Sequence, residues 1–440
     1  MVAARIARLS RLRQISSANS VVGRRRPSSA NDAEAKPGVL IIVQNLPVPF
    51  DRRVWLECQA LTEVGYQVSV ICPKGRGEPT ESVLDGVTLY KYRQYEAGTS
   101  KFAFLAEYGY SFLATLWLTG KAWRRNRFQV LQACNPPDIF WPIALAMRPL
   151  GVRFVFDHHD LCPELFQSRF GDSHPALLRA LLVLERCTHR SAHHVIATND
   201  SYRKVALTRG RKAEADVTVV RSGPDPGRLS PGTPDPEARR GREHLVVYLG
   251  VMGPQDGVDL AVRAADYVVH ELGRTDISFT LIGSGGSLAG LVALRDELGL
   301  TDYVEFTGRL PDADLARILS TATVGLCPDP KNPLNDVSTM NKTMEYMAFE
   351  VPVVAFDLVE TRVSAGDAAL YAVPNEVPEF ARLIVELVDD QQRRTSMGKL
   401  GRKRVTEQLS WGYQRERYVD VYDKLTQRDR SSVAAVARGV

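Results

Sequence analysis

The run GVLIIVQ (38–44) leads into DRRVWLECQALTEVG (51–65), and this pair sets the pattern of the chain. The first is a short apolar run and reads as a buried strand. In the second, Val54, Leu56, Ala60 and Leu61 recur at helical spacing and Gly65 stops the helix. The alternation continues through QVSVIC (67–72), VTLYKY (87–92), FQVLQA (128–133), RFVFDHHD (153–160), HHVIATN (193–199) and TVVRSG (218–223). Residues 224–243 are rich in Pro, Gly and charge and read as a linker. A second set follows: HLVVYLG (244–250), a helix over 256–273, SFTLIGSG (278–285), VEFTGR (304–309), TVGLCP (323–328) and VPVVAF (351–356). Strands separated by helices imply parallel sheets. The fold class is therefore α/β, with two Rossmann-like domains, 38–223 and 244–407, facing each other across a cleft. Ligands of such sheets bind beyond the carboxyl ends of the strands.

The chain has 440 residues, 44% hydrophobic and 24% charged. That excludes disordered, collagenous and coiled-coil classes. The net charge is +5, but residues 1–31 hold seven arginines and no acid. The remainder is slightly acidic, so nucleic acid is not an expected partner. The six cysteines (58, 72, 134, 162, 187, 327) form no CxxC pair, which fits reduced thiols in the cytoplasm. Residues 1–37 read as a basic disordered tail, a transit peptide, or a lipid-surface helix with Ile6, Leu9, Leu12 and Ile15 on one side. Residues 429–440 read as a second tail.

Several stretches carry chemistry. Gly283-Ser284-Gly285-Gly286 follows a strand and precedes a helix, as an amide cradle for phosphate does, or a plain tight turn. Gly250 and Gly253 repeat that signal. In STMNKTMEYMA (338–348), Ser338 or Thr339 can cap a helix whose free amides and dipole attract an anion. Lys342 sits in its first turn, where a bound anion would compensate the misplaced cation. Glu345 lies one turn on, and a carboxylate there suits a ribose diol. A solvated Lys–Glu pair is the plainer reading.

FDHHDLCPE (156–164) packs histidine and acid at a strand end. Adjacent strand residues face opposite sides, so His158 and His159 are poorly placed to share a metal. One cleft-facing histidine, oriented by an acid, is the alternative. Residues 102–127 are aromatic (Phe102, Phe104, Tyr108, Tyr110, Phe112, Trp117) and then basic (Lys121, Arg124, Arg125, Arg127). They fit a helix on a membrane surface or a buried core helix.

Taken together, PVPFDRRVWLECQAL, GYQVSVICPKG, FDHHDLCPE, VVRSGPD, YLGVMGPQDGVD, LIGSG, VEFTGRLPDADL and MNKTMEYMAFEVPVVAFD resemble, in this order, the family 4 glycosyltransferases. The resemblance spans about residues 38–428 and implies the GT-B fold, with a last helix (408–428) crossing back to the first domain. It implies a retaining hexosyltransferase, using a nucleotide sugar, with UDP as the expected nucleotide, and no metal or other cofactor. His159 matches the active-site histidine, with Asp160 beside it, and Lys342 is assigned to the leaving diphosphate. Gly253, Gly283, Gly308, Arg309, Ser338, Thr339, Met340, Asn341 and Glu345 are assigned to the donor. Glu345 matches the ribose-binding glutamate. Gly308 and Arg309 match the turn at the base.

Departures are visible. Val337 stands where many members carry a second glutamate. Val251 and Asp256 stand where an Arg and a Lys usually neutralise the diphosphate. Glu350 replaces a common glycine. These departures resemble a branch that builds lipopolysaccharide or exopolysaccharide. The expected acceptor is lipid-linked or a glycan, at the inner face of the cytoplasmic membrane. A nucleotide-sugar 2-epimerase, a non-catalytic sugar-nucleotide scaffold and a metal hydrolase on HHDxxxE are the rival readings.

Overall fold

The computed structural model describes residues 36–75, 77–94, 101–171, 173–224 and 230–428, without the side chains of 101–105. The expectations for residues 1–35, the tail 429–440 and the side chains of Phe102 and Phe104 lie outside the described residues.

The first sheet holds β1 (Gly38–Ile42), β2 (Gln67–Lys74), β3 (Glu81–Leu84), β4 (Val87–Arg93), β5 (Val130–Cys134), β6 (Arg153–His158), β7 (His194–Ala197) and β8 (Val217–Val219). Their order is β3-β4-β2-β1-β5-β6-β7-β8. Only β3 runs antiparallel, paired to β4. The second sheet holds β9 (His244–Leu249), β10 (Ile277–Ile282), β11 (Val304–Gly308), β12 (Val324–Cys327), β13 (Val353–Phe356) and β14 (Ala369–Ala372). It is parallel throughout, in the order β11-β10-β9-β12-β13-β14. Helices cover both faces, so the inner strands β1, β5, β10 and β12 are buried at every residue.

The structure adds two strands to the sequence reading. β3 is joined to β4 through Asp85-Gly86, both at positive φ (47° and 82°), a hairpin signal present in the sequence. β14 is four residues long and too short to show a period. The helix expected over 256–273 is α-helical over Val258–Asp266 and continues as one π turn, Tyr267–Glu271.

The last helix, Trp411–Thr426, packs on the first sheet. Trp411, Tyr418, Val419, Val421 and Tyr422 join the core formed with β1, β2 and β5. Polar contacts also tie the two sheets' layers together. Asn199 Nδ2 donates to the Val337 carbonyl (2.9 Å) and to Thr339 Oγ1 (3.0 Å). Ser201 Oγ donates to Glu360 Oε1 at 2.6 Å, and Arg221 pairs with the other oxygen of Glu360 at 3.3 Å.

Glu350 ends the turn before β13 with φ +60°. An L side chain there crowds its own carbonyl. Its ion pair with Arg402, 3.6 Å apart and half-exposed, contributes little. Glu350→Gly is expected to stabilise the fold by about 1 kcal/mol, read as a raised denaturation midpoint at unchanged slope.

Candidate active site

The carboxyl ends of both sheets meet across a cleft of about 540 Å³, walled by the starts of helices Arg52–Glu63 and Asn341–Ala348. Arg52, Arg53, Leu310, Asp312, Asn341 and Glu345 are among its lining residues. Of the sequence-predicted site residues, Asn341 and Glu345 line it directly.

On the second sheet, glycine sits at three strand ends. Gly250 follows β9, Gly283 follows β10 and Gly308 closes β11. The Gly250 amide donates to the Ile282 carbonyl (3.0 Å) and the Gly283 amide to the Gly308 carbonyl (2.9 Å). Gly283 has φ +137°, and a Cβ there would lie 1.8 Å from the Gly250 carbonyl oxygen. This close approach lets no other residue stand at 283. Arg309 donates from Nε to Ser284 Oγ (2.9 Å) and lies over the Phe50 ring across the cleft, 5.1 Å from its centre.

The helix of the STMNKTMEYMA stretch begins later than its sequence implies. It spans Asn341–Ala348 and is capped by Met340, with no side-chain cap bond. Ser338 and Thr339 turn instead to the first domain. Ser338 Oγ lies 3.0 Å from the Tyr202 hydroxyl, and Thr339 Oγ1 accepts from Asn199. The amides at this helix start are therefore not closed off by a side-chain cap.

Lys342 has a protein partner that sequence reasoning missed. Its Nζ donates to Asp329 Oδ1 at 2.6 Å, and both side chains are buried. It also lies 5.1 Å from the centre of the Tyr248 ring. Burial opposes its charge, but Asp329 overcomes this and holds the ammonium above its ordinary pKa. The anion that compensates this first-turn cation is Asp329. The Gly253 amide is likewise occupied, donating to Asp256 Oδ2 at 2.8 Å. Asp256 thus shapes the turn that follows β9.

On the first sheet, the acid against His159 is Asp157 and not Asp160. His159 Nε2 lies 2.7 Å from Asp157 Oδ2 and 3.0 Å from Arg53 Nε. Residues 157 and 159 share a side of the strand end, as period-two geometry requires. With a proton on Nε2 the ring donates to Asp157; without it the ring accepts from Arg53. Asp160 is held through its backbone by Asn135, and burial pushes its carboxyl up.

Arg53 also pairs with Asp157 and Glu57, each at 3.0 Å, and donates to the Val220 carbonyl and Ser222 Oγ. Burial, and then Asp157, push Glu57 up; burial opposes ionisation of Asp157, but Arg53 and His159 bring it down. Gln132 Nε2 donates to both acids (2.8 and 2.9 Å). Its Oε1 accepts from the Tyr418 hydroxyl (2.7 Å) and from Tyr422. The i, i+4 spacing of Arg53 and Glu57 was the available signal for this network.

Glu57, Cys134, Asp157 and His159 could together hold a metal ion by position alone. The Arg53 guanidinium already supplies the cation between these acids. His158 points to the other side of β6, into the core, with Glu185 and His189. That second group is also a poor cation site, because Arg209 engages both oxygens of Glu185 (2.5 and 2.6 Å).

The comparisons fit this arrangement. The class is GT-B: sucrose-phosphate synthase from Thermosynechococcus elongatus superposes with TM-score 0.74 at 16% identity, covering 90% of this chain and 100% of that one. Anabaena Alr3699/HepE, solved in complex with UDP and glucose, gives 0.67 at 14% identity, over 88% and 100%. The family "Glycosyl transferases group 1" matches residues 243–390, and "Glycosyltransferase Family 4" matches residues 51–228. A glycosyltransferase family model thus matches each half of the chain. A GDP-mannose-dependent monoacylated alpha-(1-6)-phosphatidylinositol monomannoside mannosyltransferase of Corynebacterium glutamicum is 27% identical over 46% of this chain and 54% of that protein. The chain spans about half the length of the first curated relatives it matches.

Burial holds His158 far below its ordinary pKa, and burial with Arg209 holds His189 at about 3. The unfolded chain binds a proton on each near pH 6.5, while the folded chain does not. Their contribution is neutral above about pH 6.5 and turns destabilising as pH falls toward 3. The expected loss is about 1.4 kcal/mol per pH unit for each histidine. Denaturant titrations between pH 7 and pH 4.5 read it, and His189→Phe removes one share of that slope.

Proposed function

We propose that this chain transfers a hexosyl group from a nucleotide sugar to a hydroxyl of a lipid-linked or polysaccharide acceptor in cell-envelope glycan assembly. The observation that carries this reading is Glu345 in the cleft wall, one turn from helix amides that no side chain caps. A ribose diol donates to the carboxylate, and the diphosphate meets the amides and the helix dipole. The relatives' names leave the base open, one being GDP-mannose-dependent and another structure holding UDP.

In the reaction, the bond from the sugar's anomeric carbon to the diphosphate oxygen breaks. The acceptor oxygen bonds to the same face, and its proton passes to the departing phosphate oxygen. Configuration is retained. Negative charge grows on the phosphate, so fixed positive charge and amides lower the barrier. His159 is hydrogen-bonded to Arg53, which lines the cleft, and to Asp157, and in this reading its ring meets the donor sugar. Closing the cleft excludes water as a competing acceptor.

The acceptor side has its own surface. Helix Lys101–Arg125 turns small hydroxyls inward (Ser111, Thr115, Thr119) and apolar rings outward. Leu113 is 64% and Trp117 67% exposed, with Leu116 between them. Leu118 and Ala122 join the first domain's core, with Phe112 and Trp123 packed against it, so one face is that of a core helix; the exposed face fits peripheral contact with an anionic lipid face, with Arg124 at its basic end. Among the described residues, no helix is long and apolar enough to cross a membrane.

The test is nucleoside diphosphate release from UDP-, GDP-, ADP- and dTDP-sugars, with lipid extract as acceptor, with and without EDTA. Lipid-dependent release from one donor that survives EDTA is expected. Glu345→Ala is expected to lower kcat/KM about 100-fold or more; a loss under about threefold removes Glu345 from the donor site. The double variant Leu113→Glu, Trp117→Glu is expected to weaken co-sedimentation with anionic vesicles at least about tenfold while nucleoside diphosphate binding stays unchanged.

A further inference from the structure

The donor's diphosphate needs positive charge. Lys342 is committed to Asp329 in a buried pair. Arg53 is committed to Asp157 and Glu57, also buried. Arg309 is turned to Ser284 and the Phe50 ring. Arg52 differs from all three. Its side chain is 53% exposed, it lines the cleft, and it stands 3.6 Å from Glu345 Oε1 and 3.5 Å from Asp312 Oδ1.

We propose that Arg52 is the cation of the diphosphate site, passing from Glu345 to the phosphates when the ribose diol takes the Glu345 carboxylate. This rests on the reading of Glu345 as the ribose ligand.

Three observations carry the exchange. First, Arg52 is already at Glu345, and phosphate attached to a ribose held there comes within reach of the same guanidinium. Second, Arg52 occupies the first turn of helix Arg52–Glu63, whose positive end favours an anion. One acid is already there, the N-cap Asp51, whose carboxylate accepts from the Val54 amide, and a diphosphate would add to it. The helix Asn341–Ala348 also starts on this cleft, so two helix N-termini converge on one place. Third, solvent-screened ion pairs contribute little, whereas a guanidinium fits phosphate oxygens in a planar, two-bond fork. The partner that Arg52 gives up is therefore weaker than the one it gains.

Arg52 belongs to the first domain, and Glu345 with the amides belongs to the second. Arg52 already bridges the walls through Glu345 and Asp312, and a diphosphate held by both domains would take the place of that bridge.

The test compares the full chain with Arg52→Ala and Arg52→Lys, by calorimetric binding of UDP against uridine and of GDP against guanosine. The unmodified chain is expected to bind one diphosphate about 100-fold tighter than its nucleoside. Arg52→Ala is expected to lose at least about tenfold of that ratio, and Arg52→Lys to recover part of it. Nucleoside affinity is expected to stay within about threefold or to rise, because Glu345 loses a competitor. Retained nucleoside binding also reports that the variant is folded. A ratio unchanged in Arg52→Ala overturns this proposal alone. Failure of the unmodified chain to bind these two diphosphates, and ADP and dTDP measured in the same way, overturns the donor site, and this proposal with it.

Discussion

The buried ion pair between Arg53 and Asp157 is the contact on which the first domain's half of the site depends. Arg53 comes from the first helix and Asp157 from β6, and the same guanidinium reaches Glu57, His159, the Val220 carbonyl and Ser222. A charge so deeply buried is tolerable only with its partners satisfied. Through Gln132 the acids are joined to Tyr418 and Tyr422 of the last helix. The chain's two ends are thus coupled through one polar network beneath the cleft. Removing the last helix would leave Gln132 and the acids facing a void, so that helix is part of the site's foundation as well as of the core.

The same network fixes His159. Its neighbour His158 faces the apolar core, beside Phe156 and His189. Two adjacent imidazoles therefore live in opposite environments, one dry and neutral, the other held between a guanidinium and a carboxylate. The strand's period of two accounts for the division. It explains why a pair that looks like a metal motif in sequence is two separate structural devices.

Local patterns were the most legible in the sequence. Apolar runs marked the central strands, because parallel strands buried on both faces need continuous hydrophobicity. At the site, Glu345 and the glycines at 283 and 308 were legible because turn geometry and helix spacing are local. Asp329 as the partner of Lys342 was not, because the two come from different strand ends and meet only once the sheet is assembled. The capping role given to Ser338 and Thr339 failed for the same reason. Their hydroxyls had better partners in the other domain, Tyr202 and Asn199, which no local rule brings into view.

Tertiary contacts also decide what the second domain offers a ligand. Asp256 binds the Gly253 amide and Asp329 binds Lys342, so the second domain satisfies its own polar groups at this turn. A domain finished in this way leaves little fixed charge for a phosphate. What it keeps is Glu345 and a helix start without a side-chain cap. Across the cleft stands Arg52, in the first turn of a helix capped by Asp51 and paired with Asp312 and Glu345. A dianionic ligand between the two walls would meet that guanidinium on one side and uncapped amides on the other.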